Sequence, residues 1–519
     1  MEKIQIKTDL NATADCIKRL TAKKVGLKEA AIKYFKIVKR SVDARDKGNI
    51  FLLWSVEYDV KEYTEPTLEI KRCNLPKEKI AVIGSGPAGL FCALVLSRAG
   101  LCPVVIERGS NVDDRKKDVD AFVKTRKINI NSNVQFGEGG AGTFSDGKLN
   151  SGIKSEYKDF VLKEFVSHGA PECILYDSKP HIGSDKLPET VKGIRNEIIN
   201  NGGEFLFNTR FVDFSAANNK ITKIKLLDEN GNTFELNVSE VILAIGHSSR
   251  DTFETLYNNK VMIERKDMAI GFRIEHLAQD VNKSQYGKFY NHPNLGTADY
   301  KLTSNASERG VFTFCMCPGG YVMPAASEEN TVVVNGMSEF KRNAVNSNSA
   351  VVVQVRKEDF GDGNELKGID FQRSIERKAF ELGGGEYSAP VSLLGDFYKN
   401  RKSTGFKTVE PSYPVGVTFA NLNELLPDFL TEPMKAGIKD MAKRLKCFDD
   451  ENAVLTGAET RTSSPVRVLR NEKMQSVTHS NLYPIGEVGY AGGIMSSAVD
   501  GIKCALCIID SCFVQYAQI

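Results

Sequence analysis

The sequence is poor in the features that mark several protein classes. No apolar run reaches the ~18–20 residues needed to cross a bilayer, so no membrane span is expected. The opening "MEKIQIKTDL" has no apolar signal core, which predicts against secretion and for the cytoplasm. The six histidines (His168, His181, His247, His276, His292 and His479) are dispersed, and no His or Cys grouping has zinc-site spacing. There is no internal repeat, no low-complexity tract, no paired carboxylate motif and no Ser-His-Asp set. The eleven cysteines are odd in number and scattered, the pattern of reduced thiols rather than a disulfide framework.

The remainder is ordinary for a globular chain. It has 519 residues, 41% hydrophobic and 26% charged, with net charge +3. That length suggests about three domains. Residues 1–77 hold 17 Lys and Arg against 11 Asp and Glu, an excess of 6 that leaves −3 for the rest. A basic N-terminal module is a candidate for touching an acidic partner or nucleic acid. Tyr34, Phe35 and Trp54 are its candidate stacking residues. The alternative is a solvated surface, because its charges alternate with core-like residues.

Pattern reading gives the first domain a strand at residues 3–8 and short helices at "TADCIKRL" and "LKEAAIKYF". A hairpin follows, from "FKIVKRSVDAR" through "DKGN" to "IFLLWSVEYDVK". "KRCNLPKEK" with Pro76 suits a linker. Then "KIAVIG" reads as a buried strand, "PAGLFCALVLSRAG" as a helix and "PVVIERG" as a second strand. Further along, residues 185–201 are helical in period and "GGEFLFNTRFVDF" reads as one strand. Antiparallel strands with a turn at Asn230–Gly231 precede a mixed region from 265 to 455. That region holds strands such as "GVFTFCMC" and "NTVVVNG" and the helix "PMKAGIKDMAKRLKCF". A strand, Gly-rich loop and long helix close the chain.

Gly84, Gly86 and Gly89 spell G-x-G-x-x-G between strand and helix, and Glu107 ends the second strand 18 residues later. The first glycine allows the tight turn, the second lets a pyrophosphate approach, and the third lets helix and strand pack. The helix N-terminus offers free N–H groups to phosphate. Glu107 can accept ribose hydroxyls and would repel a 2′-phosphate. Three later features favour FAD over NAD. They are the strand ending at Ala244 and Gly246, Glu487 after "LYPIG", and the Gly492–Gly493 turn opening the final helix. The dipole of that helix can stabilise negative charge on a reduced flavin.

The stretch "GEGGAGTFSDGKLN" repeats the G-x-G-x-x-G spelling at Gly137, Gly139 and Gly142. "INSNVQF" before it is a poor strand, "TFSDGKLN" after it is a poor helix, and no acid-terminated strand follows. It therefore reads as a second grip on one FAD, not as a second dinucleotide site. Thr143 and Ser145 can donate hydrogen bonds there, and Lys148 can offset phosphate charge.

Six strings carry a family resemblance: "AVIGSGPAGLFCALVL", "GEGGAGTFSDGKLN", "LAIGHSSRDT", "FCMCPGGYVMPA", "TGAETRTSSPVRVLR" and "YPIGEVGYAGGIMSSAVDG". With them the sequence resembles FAD-dependent oxidoreductases of the glutathione-reductase superfamily. The likeness is strongest to the family called FAD-dependent dehydrogenases, over most of residues 78–519. The N-terminal domain also looks like that family's own.

The expected fold is α/β: a Rossmann-like FAD-binding domain, an inserted α+β substrate domain and a small N-terminal α+β domain. The divisions fall at 1–77, 78–264, 265–455 and 456–519. The resemblance implies a dehydrogenase moving a hydride between flavin N5 and a small organic substrate. The motifs and the resemblance together give the expected contacts of a non-covalent FAD. These are Gly84, Gly86, Pro87, Ala88, Gly89, Glu107, Arg108, Gly139, Gly140, Ala141, Gly142, Thr143, Ser145, Lys148, Val212, Ala244, Gly246, His247, Gly486, Glu487, Gly493 and Ile494. NADH or NADPH remains available as a transient electron donor, without a fingerprint of its own.

Arg461 and Cys317 are the catalytic candidates. Arg461 can clamp a substrate carboxylate or balance reduced-flavin charge, or it is structural, satisfying loop carbonyls. The resembling family carries a cysteine before Pro-Gly-Gly, which points to Cys317. Its thiol is a nucleophile, a proton donor or half of a redox pair, unless strand alternation puts Cys315 and Cys317 together on a core face. Cys504 and Cys507, although C-x-x-C, read as helix packing. The alternative function is a flavoprotein that binds or modifies RNA through its basic N-terminal domain.

Overall fold

A computed structural model describes residues 1–74 and 76–516. Leu75, inside the expected linker, lies outside the described residues.

The N-terminal unit is a three-stranded antiparallel sheet, with Phe51–Asp59 between Glu2–Thr8 and Tyr34–Asp43, and the helix Ala14–Val25 packs on it. Alternation along Phe51–Asp59 drives Leu52, Trp54, Val56 and Tyr58 into its core. Two expectations fail here. The second helix shrinks to a 3-10 turn at Glu29–Ala31, because the β-branched and aromatic run "YFKIV" joins the sheet instead. Trp54 is fully buried, with its indole N–H on the Thr8 hydroxyl at 3.0 Å, so it cannot stack on a base. Tyr34 is likewise engaged, by the Glu65 carboxylate at 2.9 Å and the edge of Tyr63.

The basic face of this unit meets acidic partners within the chain itself. Arg40 makes a forked pair with Asp177 at 2.7 and 2.9 Å. Lys36 reaches Asp159 at 3.3 Å, and a pair of opposite sense, Glu65 with Lys163 at 2.5 Å, adds to the contact.

The second unit is built on parallel strands in the order Glu204–Leu206, Val104–Ile106, Lys79–Ile83, Thr233–Leu243 and Leu482–Pro484. Lys79–Ile83 leads through a glycine turn into the helix Pro87–Arg98, giving the expected β-α-β unit. The final helix, Ile494–Tyr516, packs against Pro87–Arg98, and a Cβ on Gly501 would overlap the Ala88 carbonyl. Cys504 is buried in that contact. The segment expected as one strand at 202–214 breaks in two. Asn208 takes a left-handed turn (φ 50°) and its N–H bonds the Gly109 carbonyl at 3.0 Å. Glu204–Leu206 then joins the parallel sheet, while Arg210–Ala217 pairs antiparallel with Lys220–Leu227.

The third unit is a seven-stranded, mostly antiparallel sheet. Its middle strand is Met268–Leu277, flanked by Asn346–Val355 and Val454–Glu459, with Val311–Cys317 beyond Asn346–Val355. The helices Lys367–Leu382 and Asp428–Ala442 contribute to its core. The chain enters and leaves this unit through one antiparallel ribbon, Ile263–Arg265 against Val466–Val468. Among the described residues no helix is long and apolar enough to cross a membrane.

Candidate functional site

One cleft runs between the parallel sheet and the inserted unit. Its floor is the turn after Lys79–Ile83. Gly84 sits at φ 102°, where an added Cβ would press on the Ala244 backbone, and a Cβ on Gly89 would overlap the Gly84 carbonyl oxygen. Both glycines are set by backbone-to-backbone approach. Gly86 precedes the helix Pro87–Arg98 and has no side chain to cap it, so the first-turn N–H groups are left for another acceptor.

The second glycine loop lies directly against the first. A Cβ on Gly86 would stand 3.8 Å from the Gly140 Cα, and the Gly139 N–H donates to the Ser85 carbonyl at 2.9 Å. The loop folds as a short 3-10 turn, Gly140–Phe144, entered through Gly139 at φ 80°. The two G-x-G-x-x-G spellings thus border one cleft.

Two buried residues lock the loops together, and only one was anticipated. Glu107 accepts from the Ser85 N–H at 3.0 Å and the Ser85 hydroxyl at 2.7 Å. Its other oxygen accepts from the Gly109 and Gly137 N–H groups, both at 3.0 Å. It lines the cleft, but its first role is to splice the second strand to both glycine loops. Arg115 was missed. Fully buried, it donates to the carbonyls of Asn133, Val134, Gly137, Glu138 and Gly140 at 2.7–3.2 Å. Burial pulls its guanidinium down to about 10. Arg115→Met should leave those carbonyls unsatisfied and loosen the second loop at a cost of about 3 kcal/mol. The expected outcome is a lower thermal midpoint, with proteolytic nicking between residues 133 and 148.

Of the residues expected to touch a cofactor, the cleft wall includes Gly84, Gly86, Pro87, Ala88, Glu107, Arg108, Gly140, Ala141, Gly142, Ser145, Lys148, Ala244, Gly246, His247, Glu487, Gly493 and Ile494. Gly89, Gly139, Thr143, Val212 and Gly486 lie behind it; the Thr143 hydroxyl is turned to the Glu138 carbonyl at 3.2 Å. Beside Glu107, Arg108 and Arg210 share the Asp251 carboxylate, and the buried Nε of each has no partner. Glu487 accepts from the Gly493 N–H at 2.9 Å and stands 3.4 Å from His247 Nε2. Burial lowers His247 below its ordinary range, which favours the neutral ring.

The opposite wall comes from the inserted unit: Phe314, Cys315, Asn335, Glu459, Arg461 and Thr462. Arg461 is not a free clamp. Glu376 takes its Nε and Nη2 at 3.1 and 2.9 Å, and the Ser327 hydroxyl takes Nη1. The same fully buried carboxylate pairs with Arg250 at 2.7 and 2.8 Å and accepts from Thr460 at 2.6 Å. Burial pushes the Glu376 carboxyl up, but Arg250 and Arg461 outweigh it and hold it far below the usual range. Arg273 is satisfied in the same manner by Glu459, at 3.0 and 3.1 Å. Burial raises Glu459 to about 6 against the pull of Arg273.

Strand alternation mispredicts the cysteines. A register shift between Phe314 and Cys317, with Cys315 at φ 42°, breaks the two-residue period. Cys315 comes to the cleft wall, and Cys317 is fully buried behind it. Lys148 arrives from the second glycine loop, 3.9 Å from the Cys317 sulfur and 3.1 Å from Asp146. Burial pushes Asp146 up, yet Lys148 and Arg342 hold it below the usual carboxylate range.

Residues 267–462 match the family described as "FAD-dependent protein, C-terminal domain-like", and residues 1–59 match a domain of unknown function, DUF8436. An uncharacterized protein of Clostridium beijerinckii is 46% identical over 525 residues, covering 97% of this chain and 98% of that protein. Among solved structures, a geranylgeranyl bacteriochlorophyll reductase-like protein of Thermoplasma acidophilum aligns over 85% of this chain and 80% of its own, with 10% identity and a TM-score of 0.38. A flavin-dependent brominase aligns over 84% of this chain and 79% of its own, with 13% identity and a TM-score of 0.38. Glycerol-3-phosphate dehydrogenase of Bacillus halodurans, complexed with FAD, aligns over 86% of this chain and 65% of its own, with 11% identity and a TM-score of 0.37.

Proposed function

Because the chain belongs to one family with its Clostridium beijerinckii relative and its residues 267–462 match a domain of FAD-dependent proteins, we propose that it is an FAD-dependent oxidoreductase acting on a small organic substrate in this cleft. The observation that carries the reading is the meeting of two glycine loops over an uncapped helix N-terminus. A Cβ on Gly140 would press on the Gly86 Cα at 3.1 Å, and no side chain caps the helix N-terminus, whose first-turn N–H groups suit a phosphate.

The fit to FAD is good along the cleft. The first turn of Pro87–Arg98 and the Gly140–Gly142 backbone suit the pyrophosphate. Glu107 marks the ribose end, although the four donors it already holds leave it little capacity for hydroxyls. Arg108 and Arg210 flank that end with two charges against one on Asp251. Glu487, Gly493 and Ile494 suit the ribityl chain and ring edge. When bound, the flavin supplies a two-electron acceptor and donor at N5.

The chain's own groups then bind and orient. Arg461 offers N–H groups of fixed direction, since Glu376 both neutralises and immobilises it. Lys148 on the cleft wall shares the Asp146 carboxylate with Arg342, so two positive charges meet one negative charge beside an anionic substrate. The substrate is accordingly an organic acid, and NADH or NADPH is a transient donor.

The test is direct. Protein purified without added cofactor is denatured, and its small molecules are identified by mass spectrometry. Anaerobic titration with NADH, NADPH and dithionite follows the visible spectrum of the native protein. FAD near one equivalent, bleached by a donor, is the expected outcome. A colourless chain that takes up no flavin on reconstitution refutes the reading.

A further inference from the structure

The cleft holds chemistry beyond cofactor binding. Cys315 and Cys317 are separated by one residue, and the bulge at Phe314–Cys317 folds them toward each other. Cys315 stands on the wall, part exposed, while Cys317 is fully buried. The Cys317 sulfur lies 3.3 Å from the Cys315 carbonyl oxygen and 3.9 Å from the Lys148 ammonium. Arg273 donates to that same carbonyl at 2.8 Å, fixing the bulge from beneath.

We propose that Cys315 and Cys317 form a redox-active dithiol on the substrate wall, with Cys315 as the attacking thiolate, Cys317 as the resolving thiol and a small organic disulfide as the electrophile. The asymmetry in exposure sets the order: only Cys315 can meet a molecule in the cleft. A structural pair would need neither the left-handed bulge nor a lysine from a different domain beside it. Charge supports the assignment. The hydrogen bond with Cys317, reinforced by Lys148 and Arg273, holds the Cys315 thiol well below its ordinary range. The same bond and burial push Cys317 up. A low-pKa, part-exposed thiol with a protonated neighbour has the distribution that exchange requires.

The step balances. The Cys315 thiolate attacks one sulfur of R–S–S–R′, forming the Cys315–S–R mixed disulfide and expelling R′–S⁻. Cys317 loses its proton and attacks the Cys315 sulfur. The Cys315–Cys317 disulfide forms, R–S⁻ leaves, and the released proton is taken up by an expelled thiolate. One disulfide is reduced and two protein thiols are oxidised, a two-electron exchange. Return of the pair to the dithiol by the flavin rests on the function proposed above; the exchange itself does not.

The probe is 4,4′-dithiodipyridine, added anaerobically to the purified full-length protein, with peptide mapping by mass spectrometry. In wild type, the peptide holding both cysteines should become lighter by two hydrogens and carry no pyridyl adduct. In Cys317→Ser, Cys315 should carry one stable thiopyridine. In Cys315→Ser, Cys317 should stay unmodified. The second readout is the pH profile of Cys315 alkylation by iodoacetamide in Cys317→Ser and in Lys148→Met. The groups facing this thiol are Lys148, Arg273, Asp146, Glu459 and Cys317. Loss of Lys148 should move the profile upward and slow alkylation about tenfold at pH 7. Wild-type protein that carries flavin but forms no disulfide between these residues overturns this inference and leaves the flavin reading standing. If Cys317→Ser does not fold, the wild-type mass result decides alone.

Discussion

Gly89→Ala should yield a chain that holds roughly a hundredth of the wild-type flavin at limiting cofactor. The added methyl overlaps the Gly84 carbonyl oxygen, a backbone atom held between two strands. Relief requires the helix Pro87–Arg98 to back away from the turn, yet its other side lies against Ile494–Tyr516, where Gly501 already meets Ala88. Overpacking of this kind costs about 3 kcal/mol, and the same displacement pulls the helix N-terminus from the pyrophosphate. The measurement is the flavin-to-protein absorbance ratio across a titration with FAD. Gly405→Ala, with nothing within 4 Å of its Cβ, is the control and should bind as wild type. Equal affinity in both variants would show that the turn is not the cofactor grip.

Glu376→Gln should be the most destabilising single substitution at this site. One buried carboxylate pairs with Arg250 and Arg461 and accepts from Thr460. An amide leaves Arg461 without its carboxylate and Arg250 with Glu328 alone, at the junction of the inserted helix Lys367–Leu382 and the cleft. Removing one partner of a buried ion pair costs roughly 3–5 kcal/mol, so the thermal midpoint should fall by on the order of 10 °C. The pH dependence has a definite sign. Arg250 and Arg461 outweigh burial and hold the Glu376 carboxyl far below its unfolded value. Its contribution is full above the ordinary carboxylate range and declines as pH drops through and below about 4.3. Wild type should therefore lose stability faster than Glu376→Gln on acidification. Parallel pH profiles would remove Glu376 from the charge account.

The β-α-β unit was legible because its requirements are local. A strand, three glycines, a helix and a terminal acid fall within 30 residues, and each has a steric or electrostatic reason that sequence displays. The second loop was readable by what it lacked, a strand before it and a helix after it. Arg115 was not legible, because its partners are five carbonyls, which no residue type advertises. Glu376 lies 126 residues from Arg250 and 85 from Arg461, and only the folded chain brings them together. Cys315 was misplaced because periodicity assumes an unbroken strand, and a bulge resets the face. In the N-terminal unit, a helical period at "LKEAAIKYF" lost to the sheet pairing that Tyr34–Asp43 makes with Phe51–Asp59.

The ribbon between Ile263–Arg265 and Val466–Val468 means that about 200 residues depart from and return to neighbouring points. A unit anchored by such a narrow stalk can be remodelled, enlarged or replaced while the nucleotide machinery keeps its spacing. One face of the cleft, bearing Phe314, Cys315, Asn335 and Arg461, thus rides on the insertion, opposite the face fixed by the two glycine loops. New reactions in such proteins would be written on the removable half.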